Sequence, residues 1–487
     1  DQWHGARLWQ TMILVFLFNL LLLVFRILYI LYYPIDLSPE EAQYWDWSRH
    51  LDLSYYSKPP MVAYLNFLTT KLLGNTELAV RITPMILSFV LSILTYIFVR
   101  RIFDTKVAFV CATLPQLTVG YSINSLLMTT DAPFVFFWSL SVMAIYIAFE
   151  RNEKKLWILV GILSGLAFLS KYPAVFLLPI TLFYMATFKR DMLKSPSPYL
   201  SLIPAFILSL PVLIWNYQHG FVSFKHVSSL ASKSDSFIEP SGALEFLGGQ
   251  ALLLSILPFL VLLYAWLKSL KDRKLVFFTF YSLPVFLFFL ILSFHKRVEA
   301  NWAGFAYFSG FILISYFLSR SVLLIPSYLL SFVLFIFLHF TPLFDLLKIT
   351  SLLPPERDPT KFLVGWKELG KRVSQLYTGS EMIFSPQYQV SAELAFYVKG
   401  NPRTYCVNLG RRMNQYDLWK EGMKNYIGKS AIFVSVGHAE ERVLSAFGGI
   451  IKEEIYKVIW RGKEVRTFYI YKLKDYKGLE ESLPMGY

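Results

Sequence analysis

Two carboxylates stand side by side at Glu40 and Glu41, and Lys58 follows in the same segment, directly ahead of Pro59-Pro60. Tyr44, Tyr55 and Tyr56 lie between them. Further along, Asp131, Lys171 and the run His295-Lys296-Arg297-Val298-Glu299-Ala300-Asn301-Trp302 set more charge and aromatic surface beside long apolar stretches. A carboxylate can accept or orient a proton, and Lys or Arg close to a membrane face suits an anionic lipid phosphate. The chemistry these residues suggest is acid–base work on an anionic, lipid-borne ligand. Each also has a plainer reading. Glu40 and Glu41 suit the first turn of a helix as dipole partners, and Asp131 suits a helix cap. Lys171 fits a short re-entrant turn paired to a carboxylate, His295 to Arg297 an interfacial anchor, and Asn301-Trp302 packing in an aromatic belt. The seven histidines are scattered, with no close pair at metal-ligand spacing, and read as structural.

The elements that must position these residues are legible in the composition. Of 487 residues, 55% are hydrophobic and 16% charged, with a mean hydropathy of +0.47. The charge is uneven: 44 charged side chains fall in the first 355 residues and 36 in the last 132. A soluble domain carries roughly 25% charged residues, a density that only the tail reaches. The expected fold is a polytopic α-helical membrane protein with a C-terminal soluble α/β domain. Residues 1–350 form the membrane part and 351–487 the second domain, the composition changing after Pro354-Pro355. The net charge of +14 comes without a dense basic run, which excludes nucleic-acid binding. Cys111 and Cys406 offer no disulfide framework.

Apolar segments of about 20 residues each cross a bilayer. They are read near 12–33, 79–99, 106–126, 132–149, 156–170, 172–188, 200–217, 246–267, 275–294, 302–318 and 321–341, about eleven transmembrane helices. The first is too long for a signal-peptide core and reads as an anchor. With the N-terminus in the cytoplasm, the clusters Arg100/Arg101/Lys106, Arg151/Lys154/Lys155, Lys189/Arg190/Lys194 and Lys268/Lys271/Arg273/Lys274 all face inward, as the positive-inside rule requires. The tail is then outside. So are Arg49, Lys58, Lys71, Arg81, Lys171, Lys225, Lys233, Lys296 and Arg297, of which Lys71, Lys225 and Lys233 read as solvated or snorkelling.

The first outward loop, residues 34–77, is too patterned for a connector. Ser38-Pro39-Glu40-Glu41 predicts a helix start. Tyr44, Trp45 and Trp47 favour a membrane–water boundary. After Pro59-Pro60, Met61, Leu65, Leu68 and Leu72 share one face of a second helix suited to the membrane surface. The run D-L-S-P-E-E-A-Q-Y-W-D-W-S followed by Y-Y-S-K-P-P resembles the first periplasmic loop of GT-C glycosyltransferases in family 39. That family includes protein O-mannosyltransferases and the bacterial transferases that decorate lipid A with aminoarabinose or galacturonic acid. Glu77-Leu78-Ala79-Val80-Arg81, Thr130-Asp131-Ala132-Pro133, G-L-A-F-L-S-K-Y-P-A at 165–174 and V-E-A-N-W-A-G-F-A-Y at 298–307 resemble its bacterial branch. So do Gly365-Trp366 and Ala395-Phe396-Tyr397 in the tail.

The resemblance implies an inverting transferase of the bacterial inner membrane, with site and tail in the periplasm. It would move a sugar from a polyprenyl-phosphate donor to lipid A, another envelope glycolipid or a protein. Aminoarabinose, galacturonic acid, mannose or a related hexose would be the sugar. The family's loop carries an Asp-Glu pair that supplies the catalytic carboxylate. Here Glu40 takes the aspartate's place and is the first candidate, with Glu41 the second and Asp131 a further catalytic candidate. Lys58 matches the family lysine that binds donor phosphate, with Lys296 and Arg297 as additional phosphate ligands. Tyr44, Tyr55, Tyr56, Lys171, Glu299, Asn301 and Trp302 are the expected substrate-pocket residues. Some lipid A transferases have a glutamate before the lysine as a proposed metal ligand; Ser57 stands there, so no metal is carried over. A transporter or flippase would show internal repeats and broken spans at the midplane. Neither is evident, and a scaffold whose tail binds a partner remains the third class. The tail reads as strands at Met382 to Phe384, Ala431 to Val434 and Thr467 to Tyr471, with helices at 361–376, 389–398, 414–426 and 438–447. It suggests a cover or acceptor-selecting domain without chemistry of its own.

Overall fold

A computed structural model describes residues 2–232 and 238–487; Lys233 lies outside the described residues. The N-terminal two thirds is helical. Helix α1 (Gln2–Tyr32) ends just before Pro34, and the first loop then folds as two helices, α2 (Pro39–Ser48) and α3 (Met61–Leu73). The predicted start of α2 is present: Ser38 caps it reciprocally with Glu41, and Pro39 occupies the first turn, where its missing N–H costs nothing. Helix α3 begins behind Pro59-Pro60 and stops at Gly74, whose φ of 82° belongs to the region open to glycine. Leu68 and Leu72 on its outer face are exposed, as are Phe67 and Leu73.

Helix α4 (Glu77–Ile102) starts from a Thr76 cap. The segment read as one span at 106–126 is broken into α5 (Thr105–Leu117) and α6 (Val119–Leu126), with Pro115 ahead of the non-helical Thr118. Helix α7 (Asp131–Arg151), helix α8 (Lys154–Ser170), a short turn at Tyr172–Phe176 and α9 (Leu177–Phe188) follow. Helix α8 lies against Leu202–Gln218 through two glycines. A Cβ on Gly161 would meet the Ser201 carbonyl oxygen at 2.1 Å, and one on Gly165 would meet Leu208 at 2.8 Å. Small residues permit such close helix packing in a bilayer.

Among the described residues, six helices are long and apolar enough to cross a membrane, and up to seven if one bent pair is counted. That pair corrects the single span read at 246–267. Pro240–Leu253 and Leu257–Ser269 meet at 108°, across Ser255 and Ile256, whose φ values are positive. Other segments read as spans, such as Leu324–His339, are helical but shorter. Helix α7 and Ala300–Leu318 are mostly buried in the bundle, whereas α1 and Pro198–Gln218 present much of their apolar surface outward. That is the distribution expected of a bundle with a lipid-facing rim.

The C-terminal part is built on a five-stranded sheet of β1 (Met382–Ser385), β2 (Thr404–Cys406), β3 (Ala431–Ser435), β4 (Phe447–Trp460) and β5 (Lys463–Tyr476), in the order β2-β1-β3-β5-β4. Strands β1, β2 and β3 are parallel. Strands β4 and β5 form an antiparallel hairpin around Arg461-Gly462, both with positive φ, as a tight hairpin turn needs. Strands β1, β3 and β5 contain the predicted strands. Strand β4 went unread because it is a mostly exposed edge strand with little apolar alternation. Helices Trp366–Leu376 and Tyr388–Tyr397 answer two of the predicted helices. The predicted helix at 414–426 is instead two short 3-10 turns, Gln415–Leu418 and Met423–Tyr426, and that at 438–447 shrinks to Glu441–Ser445.

The sheet part sits directly on the first loop. Trp45 meets Phe396 edge-to-face at 4.9 Å, the Tyr416 hydroxyl donates to Asp46 at 2.5 Å, and Arg49 donates to the Asn401 carbonyl at 2.6 Å. Tyr44, Trp45 and Trp47 are buried. This corrects the boundary reading of those aromatics: helix Tyr388–Tyr397 covers the face that would have met lipid headgroups.

Candidate functional site

Adjacent residues on a helix point about 100° apart, so Glu40 and Glu41 have different surroundings. Glu41 is fully buried. It accepts from Arg81 at 2.9 and 2.8 Å, from the Met128 backbone N–H at 3.0 Å and from the Ser38 N–H at 3.0 Å. Both Glu41 and Arg81 are 0% exposed. With each oxygen bonded twice, Glu41 ties α2 to α4 and to the loop before α7. Glu40 instead lines a polar cavity of about 530 Å³ between the first loop and the C-terminal part. The Tyr388 hydroxyl donates to its Oε1 at 2.7 Å, and Tyr44 bonds it as well. Burial, then the Glu40 charge, hold both tyrosine hydroxyls well above their ordinary range, so they remain donors.

Lys58 is half-buried on the wall of the same cavity. It also lines a second, apolar groove of about 270 Å³ formed by residues such as Phe176, Val227, Phe289, Leu292 and Trp302. Among the described residues no carboxylate comes within ion-pairing distance of its ammonium. Burial pushes its pKa down to about 8, and neighbouring Lys171 adds to the effect against the opposing charges of Asp131 and Glu40. The lysine therefore stands where a polar chamber meets an apolar channel, short of one negative charge.

Lys171 closes α8, and its Nζ meets Asp131 Oδ1 at 2.7 Å, while Asn301 donates to Asp131 Oδ2 at 2.8 Å. Asp131 is the first residue of α7 rather than its cap; Thr130 holds the cap position and makes no side-chain capping bond. The carboxylate is turned sideways to join α7, α8 and the 300–306 turn. Lys171 faces the apolar groove, and Asp131 and Asn301 line a separate pocket of about 180 Å³.

The remaining candidates divide. Tyr56 lines the polar cavity, and its backbone N–H donates to Gln415. Tyr55 does not line it: its ring stacks on Trp47 at 4.7 Å and its hydroxyl bonds the Trp47 and His50 carbonyls. Trp302 reaches the groove. Arg297 and Glu299 pair with each other at 3.4 Å, with side chains 83% and 53% exposed, and line neither cavity. Lys296 is half-buried and also outside both linings.

Three residues that sequence reasoning passed over belong to the site. Tyr388 and Arg412 come from the tail read as free of chemistry, and His226 is a histidine read as structural. His226 lines both cavities, and burial together with the Lys58 and Arg412 charges pushes it down to about 4. No local pattern marks these residues; Tyr388 and Glu40 are 348 positions apart. Among the described residues no three His, Cys, Asp or Glu side chains converge as metal ligands.

The chain is similar to four known families or proteins. Residues 57–215 match the family described as dolichyl-phosphate-mannose-protein mannosyltransferase. The chain is 28% identical over 285 residues to the lipid A galacturonosyltransferase RgtD of Rhizobium johnstonii, the match covering 57% of this chain and 60% of that one. It is 26% identical over 289 residues to undecaprenyl phosphate-alpha-4-amino-4-deoxy-L-arabinose arabinosyl transferase 2 of Proteus mirabilis, covering 52% and 51%. These matches therefore span between half and two thirds of the relatives' length. The crystal structure of ArnT from Cupriavidus metallidurans bound to undecaprenyl phosphate shares the fold, with a TM-score of 0.65 at 13% identity over 93% of this chain and 97% of that one. The chain is thus similar to GT-C glycosyltransferases of family 39 in sequence, in relatives and in fold.

Proposed function

We propose that this protein transfers a sugar from a polyprenyl-phosphate donor to an envelope glycolipid of the lipid A type at the periplasmic face of the inner membrane. In this reading residues 1–350 form the catalytic membrane domain, and residues 351–487 a periplasmic domain that completes the site. The observation that carries it is Lys58, unpaired among the described residues, at the junction of the apolar groove and the polar cavity that holds Glu40. A polyprenyl chain suits the groove, its phosphate suits the ammonium, and the sugar then projects into the cavity.

The chemistry follows from the groups present. The acceptor hydroxyl oxygen attacks the anomeric carbon as the bond from that carbon to the phosphate oxygen breaks. The electron pair leaves with the polyprenyl phosphate, and Lys58 opposes the charge that grows there, stabilising the transition state more than the ground state. Glu40 accepts the acceptor's proton, with Tyr388 and Tyr44 fixing its orientation. A phosphate leaving group needs no acid partner of the kind glycosidases use, and one displacement inverts the anomeric centre. Asp131, with Lys171 and Asn301, positions α7 and α8 at the groove and keeps Lys171 neutralised beside Lys58. Glu41 serves the scaffold.

The names of the relatives support a lipid A acceptor, and the family match at 57–215 supports a protein acceptor as the second reading. The test is purified protein in detergent with labelled sugar on synthetic undecaprenyl phosphate, offered lipid A and an unstructured Ser/Thr-rich peptide in parallel. Label on lipid A supports the first reading and label on the peptide the second. Label on neither, with donor intact, refutes both.

A further inference from the structure

Strand β4 is the outer strand of the sheet, at the edge opposite β2. It is 14 residues long and pairs with β5 alone; among the described residues no backbone hydrogen bond reaches its outer edge. A long, exposed edge is a template for a further strand. One exposed face carries Ile451, Ile455 and Ile459, at 52%, 49% and 57% exposure, with Glu453 and Lys457 between them. Charges alternating at this density do not suit a lipid surface; they suit a partner that matches apolar and charged positions in turn. The ladder with β5 is irregular between Ile450 and Lys452 and between Val458 and Ile459, so the regular stretch is 452–458, with Ile455 at its midpoint. Laid antiparallel against its own copy about Ile455, this stretch sets Ile455 against Ile455, Glu453 against Lys457 and Lys457 against Glu453. Other centres match poorly. At Glu453 or Glu454 a glutamate meets its own copy, at Lys457 a lysine does, and at Tyr456 the lysine meets Ile455.

We infer that β4 pairs antiparallel with β4 of a second copy of this chain, centred on Ile455, joining the two sheets into one across a homodimer. Backbone hydrogen bonds and the Ile455 contact supply the attraction. The charges set the register, since exposed ion pairs contribute little stability. Within the chain Glu453 accepts from the Tyr471 hydroxyl, and Lys457 lies 3.8 Å from Glu464 with side chains 61% and 47% exposed, so both charges remain open to a partner. The layering of the fold suits two copies in one bilayer. Like strands paired antiparallel are related by a two-fold axis normal to their sheet. The sheet lies on helix Tyr388–Tyr397 through Val390 and Leu394, and the opposite face of that helix lies on α2 through Ala392 and Phe396. The axis therefore runs from sheet through helix towards the bundle, and both membrane parts face the same way. The loop that walls the polar cavity follows β2, at the other edge of the sheet, so the pairing lies away from the candidate site.

Full-length protein in detergent is measured by light scattering over a range of concentrations, as wild type, Glu453→Lys, Lys457→Glu, an equimolar mixture of those two variants, and the double swap. Wild type should dimerise. Each single reversal sets like charges together at both symmetry-related positions and should raise the dimer Kd about tenfold or more. The mixture and the double swap restore opposite charges and should dimerise as wild type does. In intact membranes Ile455→Cys should crosslink to twice the chain mass under mild oxidation, because paired Cα atoms lie about 4.5–5.5 Å apart, within disulfide reach. Lys424→Cys, exposed near β2 at the other edge, should not, and the native Cys111 and Cys406 are buried. A monomeric wild type overturns the inference. So does an unchanged Kd in the single reversals, or a mixture and swap that fail to recover. Crosslinking of Ile455→Cys to any other mass, or no more readily than Lys424→Cys, would give the edge a different occupant and overturn it too.

Discussion

The ammonium of Lys58, unpaired among the described residues, should give donor binding a pH dependence set by that one residue. Its pKa in the empty site is lowered to about 8, chiefly by burial and then by Lys171. A phosphodiester donor keeps its single negative charge throughout the range concerned. Binding restores an opposite charge to the lysine and raises its pKa, so the complex holds the proton that the free site loses on going alkaline. If only the ammonium form binds, the apparent Kd grows as one plus ten to the power of the difference between pH and about 8. It is about 1.1 times its limiting value at pH 7 and about eleven times at pH 9, a loss of roughly 1.4 kcal/mol. His226, pushed down to about 4, and Tyr56, pushed up to about 12, do not titrate in that window. The assay is equilibrium binding of an undecaprenyl-phosphate sugar to detergent-purified protein from pH 6.5 to 9.5. Lys58→Arg, always charged, should bind with no slope, and Lys58→Ala should bind weakly at every pH. A flat wild-type profile, or the same slope in Lys58→Arg, would refute the placement of the phosphate at Lys58.

The other expectations concern the acids around the site. Glu41→Gln should unfold the protein at lower temperature, because Arg81 is left buried without its charge partner, a loss of roughly 3–5 kcal/mol; thermal unfolding read by intrinsic fluorescence checks it, and an unchanged midpoint would count against the scaffold role. Asp131→Asn removes a charge that holds the Lys58 pKa up, so the midpoint of the donor-binding profile should move below that of wild type; an unmoved or higher midpoint would contradict the arrangement. Glu393, buried in the helix Tyr388–Tyr397 with both oxygens unbonded among the described residues, is raised well above its ordinary pKa by burial and by Asp36 and Glu41, against Arg466 and Arg81. A folded pKa above the unfolded one means stability present below about pH 4.5 and lost as pH rises through the folded value. Glu393→Gln should thus raise the unfolding temperature at pH 8 and leave it nearly unchanged at pH 4.5, and an equal shift at both would contradict a retained proton.

The parts of the site that were legible in the sequence are those governed by local rules. Ser38-Pro39-Glu40-Glu41 starts a helix because capping is decided within four residues, and Lys58 ahead of Pro59-Pro60 is placed by the break that follows it. The pairing of Lys171 with a carboxylate follows from the cost of leaving a charge alone near a bilayer. Tertiary contact decided the rest. Nothing local distinguishes Glu40 from Glu41 until Arg81 and Met128 claim one and Tyr388 the other. Arg412 sits in an unremarkable polar stretch that becomes a cavity wall only because helix Tyr388–Tyr397 docks on α2. The same docking turned Tyr44, Trp45 and Trp47 from expected boundary aromatics into core. The sharp bend at Ser255-Ile256 was invisible because both halves are equally apolar and a hydropathy window averages across the break.

The central claim is that Glu40 removes the acceptor's proton while Lys58 holds the departing phosphate. Its most direct test is single-turnover transfer of labelled sugar from undecaprenyl phosphate by wild type and Glu40→Gln, each first saturated with donor. At pH 6.5, where Lys58 keeps its charge even without Glu40 beside it, the account predicts donor affinity within about twofold of wild type in Glu40→Gln, with transfer slowed by roughly 10²–10⁴-fold, the range expected for loss of a general base. Transfer at the wild-type rate by Glu40→Gln would contradict it.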